Sequence, residues 1–143
     1  DGITKIGSDA FYYCNYITSV TIAGSVTTVA ENAFNYCTSL SSVTLSEGLT
    51  TINKKAFAHC TSLTSITIPS TVTKIDTDAF LGCSQCKDVN LLVKDPAKLT
   101  WNAKAGKDFM PNKATKCHVA SDKVDDFTAK FGSTVNVTFV AAE

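Results

Sequence analysis

The sequence predicts an α/β repeat solenoid, in which stacked coils place a parallel β-sheet along one face. Three observations support this fold class. The dipeptide Ala-Phe recurs every 23 residues without insertion, a cysteine stands three residues after each phenylalanine, and a short β-branched segment recurs in phase with both. A fixed period of this length is typical of folds in which each repeat is one coil. The in-phase residues are Phe11, Phe34, Phe57 and Phe80, with Cys14, Cys37, Cys60 and Cys83.

The apolar positions of one repeat have apolar equivalents in every other repeat. In the third repeat they are Leu49, Ile52, Phe57, Cys60, Leu63, Ile66 and Ile68. Because the volume of these side chains changes slightly and their polarity does not, we expect each position to form a column in a continuous core. Cys86 departs from the pattern, since it stands where Leu63 and its equivalents stand.

The β-branched segments predict short strands with one buried face. Polar and apolar residues alternate in Ser19–Ile22, Ser42–Leu45 and Ser65–Ile68, the pattern of a half-buried strand. Neighbouring strands are expected about 4.8 Å apart in a parallel sheet. Residues 50–52 predict a second extended segment, and residues 54–57 a single helical turn that directs Phe57 inward.

Four in-phase copies of this pattern, at residues 3–22, 26–45, 49–68 and 72–91, resemble the BspA-like class of leucine-rich repeats. The resemblance implies a curved, right-handed leucine-rich-repeat solenoid, often found on the surface of bacteria or some protozoa. It also implies a protein associated with adhesion to host or matrix proteins, in a family whose members are not enzymes as a class.

The repeat register breaks after residue 93, so we expect four repeats in residues 1–93 and a degenerate repeat with a cap in residues 94–143. Residues 107–109 look like a late Ala-Phe turn. Lys116–Val119 predicts a strand beside Asp88–Leu91, and residues 121–131 predict a helix with Ser121 as N-cap and Gly132 as its end. Residues 134–140 predict a final strand of unknown placement.

The cysteines are interpreted as core residues, because free cysteine is among the most buried residue types. We expect the four in-phase cysteines to stay reduced. A disulfide between Cys86 and Cys117 and a pair of free thiols are equally compatible with the sequence. A redox motif is disfavoured because no thioredoxin-like unit surrounds Cys83 and Cys86. A zinc site is disfavoured because His59 and His118 complete no four-ligand set.

Composition excludes several function classes. Thirteen basic residues balance thirteen acidic ones, and arginine is absent, so charge gives no reason to expect binding to nucleic acid or anionic membranes. The sequence contains no phosphate loop, nucleophile elbow or zinc-protease motif, and we expect neither enzymatic activity nor a cofactor. Asp1 falls just before a repeat, so we expect a longer parent chain and conclude nothing from the missing signal peptide. Oligomeric state is left open.

Two surfaces are candidates for binding a protein, with a host matrix or cell-surface protein as the suspected partner outside the cell. The strand face carries outward Thr21, Thr44, Thr67 and Asn90, whose alternative role is simple solvent exposure. The turn face carries Tyr12, Tyr13, Tyr16 and Tyr36, with His59 continuing their column. Tyrosine is enriched at interfaces, but this cluster could equally shield the N-terminal end.

The sequence therefore supports an extracellular adhesion module, with a passive structural spacer as the alternative. An ice-binding surface built on the hydroxyl rows ranks last, because curvature would spoil the match to a flat lattice. Residues 136–138 form a glycosylation sequon, which has meaning only in a eukaryotic secretory protein.

Overall fold

Each repeat forms one coil that contains a long and a short β-strand. The computed structural model describes residues 2–102, 115–135 and 137–143. The strands are β1 (Lys5–Ile6), β2 (Ser19–Ile22), β3 (Thr28–Val29), β4 (Ser42–Leu45), β5 (Thr51–Ile52), β6 (Ser65–Ile68), β7 (Lys74–Ile75), β8 (Asp88–Leu91), β9 (Thr100–Trp101), β10 (Lys116–Val119) and β11 (Thr138–Ala141). The helical segments are two 3₁₀ turns, Pro96–Lys98 and Ser121–Lys123, and the helix α1 (Val124–Phe131).

The strands stack in parallel on two faces of the coil. The short strands form a sheet in the order β1-β3-β5-β7-β9, and the long strands form the sheets β2-β4 and β6-β8-β10-β11. The register follows the 23-residue period, so that Thr21 lies opposite Thr44 and Thr67 opposite Asn90. The predicted pairing of Lys116–Val119 with Asp88–Leu91 is confirmed. The final strand, β11, lies beside β10.

The parallel sheet predicted on the strand face is confirmed, and it is divided into two ladders between β4 and β6. Within the described residues, no hydrogen-bonded ladder joins β4 to β6, although the two strands lie side by side. The coils still stack across this point, because the Phe34 and Phe57 rings are parallel and 5.2 Å apart. Continuity of the solenoid therefore depends on core packing and on the other faces of the coil.

The predicted phenylalanine column is confirmed. Successive ring centroids are 5.0, 5.2 and 5.7 Å apart, and the planes differ by no more than 6°. The in-phase cysteine thiols donate to phenylalanine carbonyls of the preceding coil, from Cys37 to Phe11, Cys60 to Phe34 and Cys83 to Phe57, at 3.1–3.3 Å. The cysteines thus provide both core volume and a hydrogen bond.

The helical turn predicted at residues 54–57 was wrong. The backbone instead makes two tight turns, in which the Ala56 N–H donates to Asn53 and the Ala58 N–H donates to Lys55. Lys55 and His59 both have positive φ, 54° and 57°, and a left-handed residue interrupts a right-handed helix.

The C-terminal cap begins differently from the prediction. Residues Ser121–Lys123 form a 3₁₀ turn, and α1 starts at Val124 without a side-chain cap. The apolar side of α1 packs Phe127 and Phe131 against Phe139 of β11, with ring centroids 5.8 and 6.5 Å away. The predicted late turn at residues 107–109 and Asn136 of the sequon lie outside the described residues. No helical segment in the described part of the chain has the length and apolar character needed to cross a membrane.

Candidate protein-binding surface

Three aromatic rings stack along the turn face of the first three coils. The Tyr13 and Tyr36 centroids are 4.6 Å apart with planes 5° from parallel, and the Tyr36 and His59 centroids are 4.3 Å apart with planes 15° from parallel. We call these three residues the aromatic column. One residue per coil occupies the column because the period is constant.

The backbone of the aromatic column is left-handed at each ring. The φ angles of Tyr13, Tyr36 and His59 are 57°, 61° and 57°, and the equivalent residue of the fourth coil is Gly82 with φ 74°. A left-handed conformation costs a residue with a Cβ roughly 1–2 kcal/mol, whereas glycine adopts it freely. The turn therefore accepts glycine, and its geometry does not call for an aromatic residue at this position.

Tyr12 borders the column, and Tyr16 follows it four residues later in the chain. Tyr12 stands at right angles to the column, with its centroid 4.7 Å from that of Tyr13 and 6.3 Å from that of Tyr36. Burial, followed by the neighbouring Tyr13 and Tyr36, raises the pKa of Tyr12. Tyr16 is 97% exposed. We call Tyr12, Tyr16 and the aromatic column together the aromatic patch.

His59 ends the column as a neutral group at pH 7. Desolvation of the ring, followed by repulsion from Lys55, lowers the pKa of His59 below its ordinary value. A neutral imidazole provides one donor and one acceptor. The imidazole of His59 therefore adds no positive charge to the column at pH 7.

Hydrogen bonds to the next coil hold the patch in place. The Tyr13 N–H donates to Asn35 at 3.0 Å and the Tyr36 N–H donates to Ala58 at 2.9 Å. The side-chain oxygen of Asn15 accepts from both the N–H and the hydroxyl of Thr38, at 3.3 and 3.1 Å. Of the predicted cluster, the structure brings together Tyr12, Tyr13, Tyr36 and His59, and it shows no contact between Tyr16 and these rings.

The strand face displays the predicted polar row. Thr21, Thr44, Thr67 and Asn90 are all exposed. The Asn90 amide lies 3.4 Å from the Thr67 hydroxyl, and His118 continues the row on β10. The His118 ring lies 3.0 Å from the Asp88 carboxylate. Within the row, Asn90 and Thr67 contact each other, and the exposed hydroxyl and amide groups present few apolar anchors.

Sequence reasoning missed an apolar feature at the end of this row. Leu92 is exposed and lines a groove of about 310 Å³ with Asn90, His118 and Ala142. The signal was available, because Leu92 follows the buried Leu91 and so takes an outward position. An outward leucine is a small departure from the alternating pattern and was overlooked.

The remaining cysteines are buried thiols. Cys86 and Cys117 are both free, and burial raises the pKa of Cys86 to about 12. Burial, followed by the nearby Cys86, raises the pKa of Cys117 as well. A disulfide between them stays a prediction. Among the described residues, no group of three His, Cys, Asp or Glu side chains is placed to hold a metal ion.

Comparison with protein families identifies the repeat. The family model described as "BspA type Leucine rich repeat region" matches residues 4–99 in six copies. A comparison with curated proteins found no significant match.

Solved structures with the same fold come from bacteria. A leucine-rich repeat protein of T. pallidum (TpLRR) is 27% identical, with a TM-score of 0.70 over 82% of this chain and 54% of that one. A leucine-rich repeat protein from Bacteroides ovatus is 23% identical, with a TM-score of 0.66 over 98% and 40% of the two chains. The pneumococcal vaccine antigen PcpA is 15% identical, with a TM-score of 0.72 over 98% and 39%. The chain thus spans about half the length of the T. pallidum protein, and the last two matches show the fold alone.

Proposed function

The chain belongs to the BspA-type leucine-rich repeat family, which indicates a protein–protein interaction module, and we propose that it is a non-catalytic adhesion module acting at the cell surface or outside the cell. The suspected partner is a host matrix or cell-surface protein. We assign the contact surface to the aromatic patch, with the strand-face row of Thr21, Thr44, Thr67 and Asn90 as the second candidate.

One observation carries the proposal: aromatic residues occupy left-handed positions where the fold accepts glycine. Gly82 occupies the same place in the fourth coil, so the rings of Tyr13, Tyr36 and His59 are not needed to form the turn. Tyrosine provides rigid apolar area together with a hydroxyl, and it is enriched where proteins bind each other. The exposed tyrosines at the same place supply further contact area.

Adherence of beads coated with the purified chain to immobilised matrix and cell-surface proteins tests this proposal. We expect the double variant Tyr12→Ala/Tyr13→Gly to lose most of the adherence, because both outer rings of the patch are removed. Leu92→Ala is the matched control, since it removes an exposed apolar side chain at the other end of the molecule, and it should adhere like the original chain. Loss of adherence in Leu92→Ala alone would move the contact to the strand face. Absence of adherence in the unmodified chain would favour the passive spacer.

A further inference from the structure

We infer that the aromatic patch binds a proline-rich segment in the polyproline II conformation. This inference rests on the proposed function, because it names the class of partner for the same surface. Its support comes from the spacing of the rings, their mutual orientation and the hydrogen-bonding character of the patch.

The spacing of the column matches the repeat of a polyproline II helix. Two successive ring steps, of 4.6 and 4.3 Å, separate Tyr13 from His59. A polyproline II helix advances about 3.1 Å per residue and completes a turn every three residues, so one turn rises about 9.3 Å. A segment lying along the column would therefore present the same side of its helix to the first ring and to the third.

The orientation of Tyr12 supplies an apolar wall beside the column. Its ring is 85° from the plane of Tyr13 and 90° from that of Tyr36, and it packs edge to face on Tyr13 with the centroids 4.7 Å apart. Proline-rich segments dock where aromatic rings line the contact, and here the ring edges of the column and the exposed part of Tyr12 supply that lining.

The polar groups of the patch also fit such a partner. Proline has no N–H, and the carbonyl groups of a polyproline II helix have no internal partners, so the segment needs hydrogen-bond donors. The phenol hydroxyls of Tyr12, Tyr13 and Tyr36 supply donors, and the charges that act on the patch include both signs, Asp9 on Tyr12 and Lys55 on His59. Phosphorylated or acidic motifs call for clusters of arginine, a residue that this chain lacks.

Both the aromatic patch and a proline-rich segment are rigid before they meet, which lowers the loss of conformational entropy on binding. The rings of the column are held by one another and by backbone bonds to the next coil, so little side-chain freedom is lost on contact. A proline-rich segment is likewise extended before it binds. Both partners are therefore largely preorganised.

Fluorescence anisotropy of a labelled nonaproline peptide, titrated with the full chain, tests the inference. We expect saturable binding that a Gly-Ser peptide of equal length does not show. Tyr12→Ala and Tyr13→Gly should each weaken binding about tenfold, because each removes one aromatic ring from the contact. Leu92→Ala should bind the peptide like the original chain. Tyr13→Gly keeps the turn, because Gly82 occupies the same position, and thermal melting of each variant checks the fold.

Equal binding of the nonaproline and Gly-Ser peptides, no binding up to millimolar protein, or binding of soluble oligosaccharides in place of the peptide would each overturn the inference. Adherence measured on the same samples separates the two claims. Adherence that depends on the patch without peptide binding would remove the proline-rich partner and leave the adhesion module in place.

Discussion

The imidazole of His59 lies directly against the backbone of Gly82. A Cβ added to Gly82 would stand 2.6 Å from Nδ1 of His59, closer than nonbonded atoms approach. The φ of Gly82 is 74°, a conformation that glycine adopts more readily than any other residue. Glycine is therefore favoured here for two independent reasons, conformation and space.

Gly82→Ala should lower the free energy of unfolding by about 1–3 kcal/mol, since it combines a left-handed alanine with displacement of the His59 ring. Urea denaturation followed by circular dichroism measures the change. In a His59→Ala background the same substitution should cost less, about 1 kcal/mol, because only the conformational part remains. Equal losses in the two backgrounds would show that the contact between the ring and residue 82 has no energetic weight.

The phenylalanine column should be unequally sensitive along its length. Phe57 has a parallel ring on either side and is fully buried, whereas Phe11 is covered on one side by Phe34 and is 38% exposed. Phe57→Ala should cost about 3–5 kcal/mol, the usual price of deleting a buried phenyl ring. Phe11→Ala should cost roughly half as much or less, because its burial is incomplete. Comparable urea midpoints for the two variants would contradict the stacking order.

The core columns could be predicted because translation along a solenoid repeats the same environment. Phe34 and Phe57 stand 23 residues apart, so identical side chains must meet once the coils stack. The strands at Ser42–Leu45 and Lys116–Val119 followed from their alternation, which specifies a buried and an exposed face. The constant 23-residue spacing therefore predicted which side chains form the core.

The left-handed backbone conformation of the aromatic column could not be predicted from the identity of its residues. Tyrosine and histidine have no strong preference for positive φ, and the signal for a left-handed position was Gly82, one member of four in its column.

The start of α1 was misplaced because Ser121 favours both an N-cap and a 3₁₀ turn. Whether the patch binds or shields depends on a partner, which the sequence does not contain. The division of the chain at residue 93 likewise stays a proposal.

The in-phase cysteines, which we call the cysteine ladder, should react slowly with thiol reagents in the folded protein. Burial raises the pKa of Cys37 from 9.0 to about 11, so its thiolate fraction at pH 8 is about a hundredfold lower than in the unfolded chain. Cys14 is half-buried and should be modified first by iodoacetamide. Mass spectrometry of partially labelled protein with and without urea measures the order. Modification of Cys37 or Cys60 as fast as Cys14 in the folded state would contradict the burial of the ladder.

The same shift predicts loss of stability at alkaline pH. In the folded protein Cys37 and Cys60 keep their protons above pH 9, where the unfolded chain releases them, so the free energy of unfolding should fall as pH rises from about 9 through the folded pKa. Burial raises the pKa of Cys60 to about 12. The fall between pH 8 and pH 10.5 should be smaller in Cys60→Ala than in the original chain.

Cys86 and Cys117 provide a separate test of redox state. Both thiols are buried in the last regular coil and the adjoining strand β10. A disulfide would link residue 86 to the cap, and a peptide map under non-reducing conditions would show the two cysteines in one fragment. Recovery of both as free thiols from protein purified without reductant would dismiss the disulfide.

Asp76 should contribute to stability at neutral pH and lose that contribution in acid. The Lys74 ammonium donates to its carboxylate at 2.8 Å, and the Thr77 N–H and the Asn102 amide donate at 2.8 and 3.4 Å. These contacts lower the pKa of Asp76 to about 2, and the contact with Lys74 has the largest effect. Between about pH 4 and pH 2 the unfolded chain binds a proton at this site and the folded chain does not, so stability falls as pH falls.

Asp76→Asn should therefore lose less stability than the original chain between pH 6 and pH 2.5, by less than about 1 kcal/mol because solvent screens the site. Urea midpoints at the two pH values measure the difference. Glu31→Gln is the matched control, since Glu31 makes one exposed contact of 3.5 Å with Lys54 and should leave the acid dependence nearly unchanged. An acid dependence in Asp76→Asn as steep as in the original chain would mean that the bonds from Lys74, Thr77 and Asn102 do not hold the carboxylate in solution.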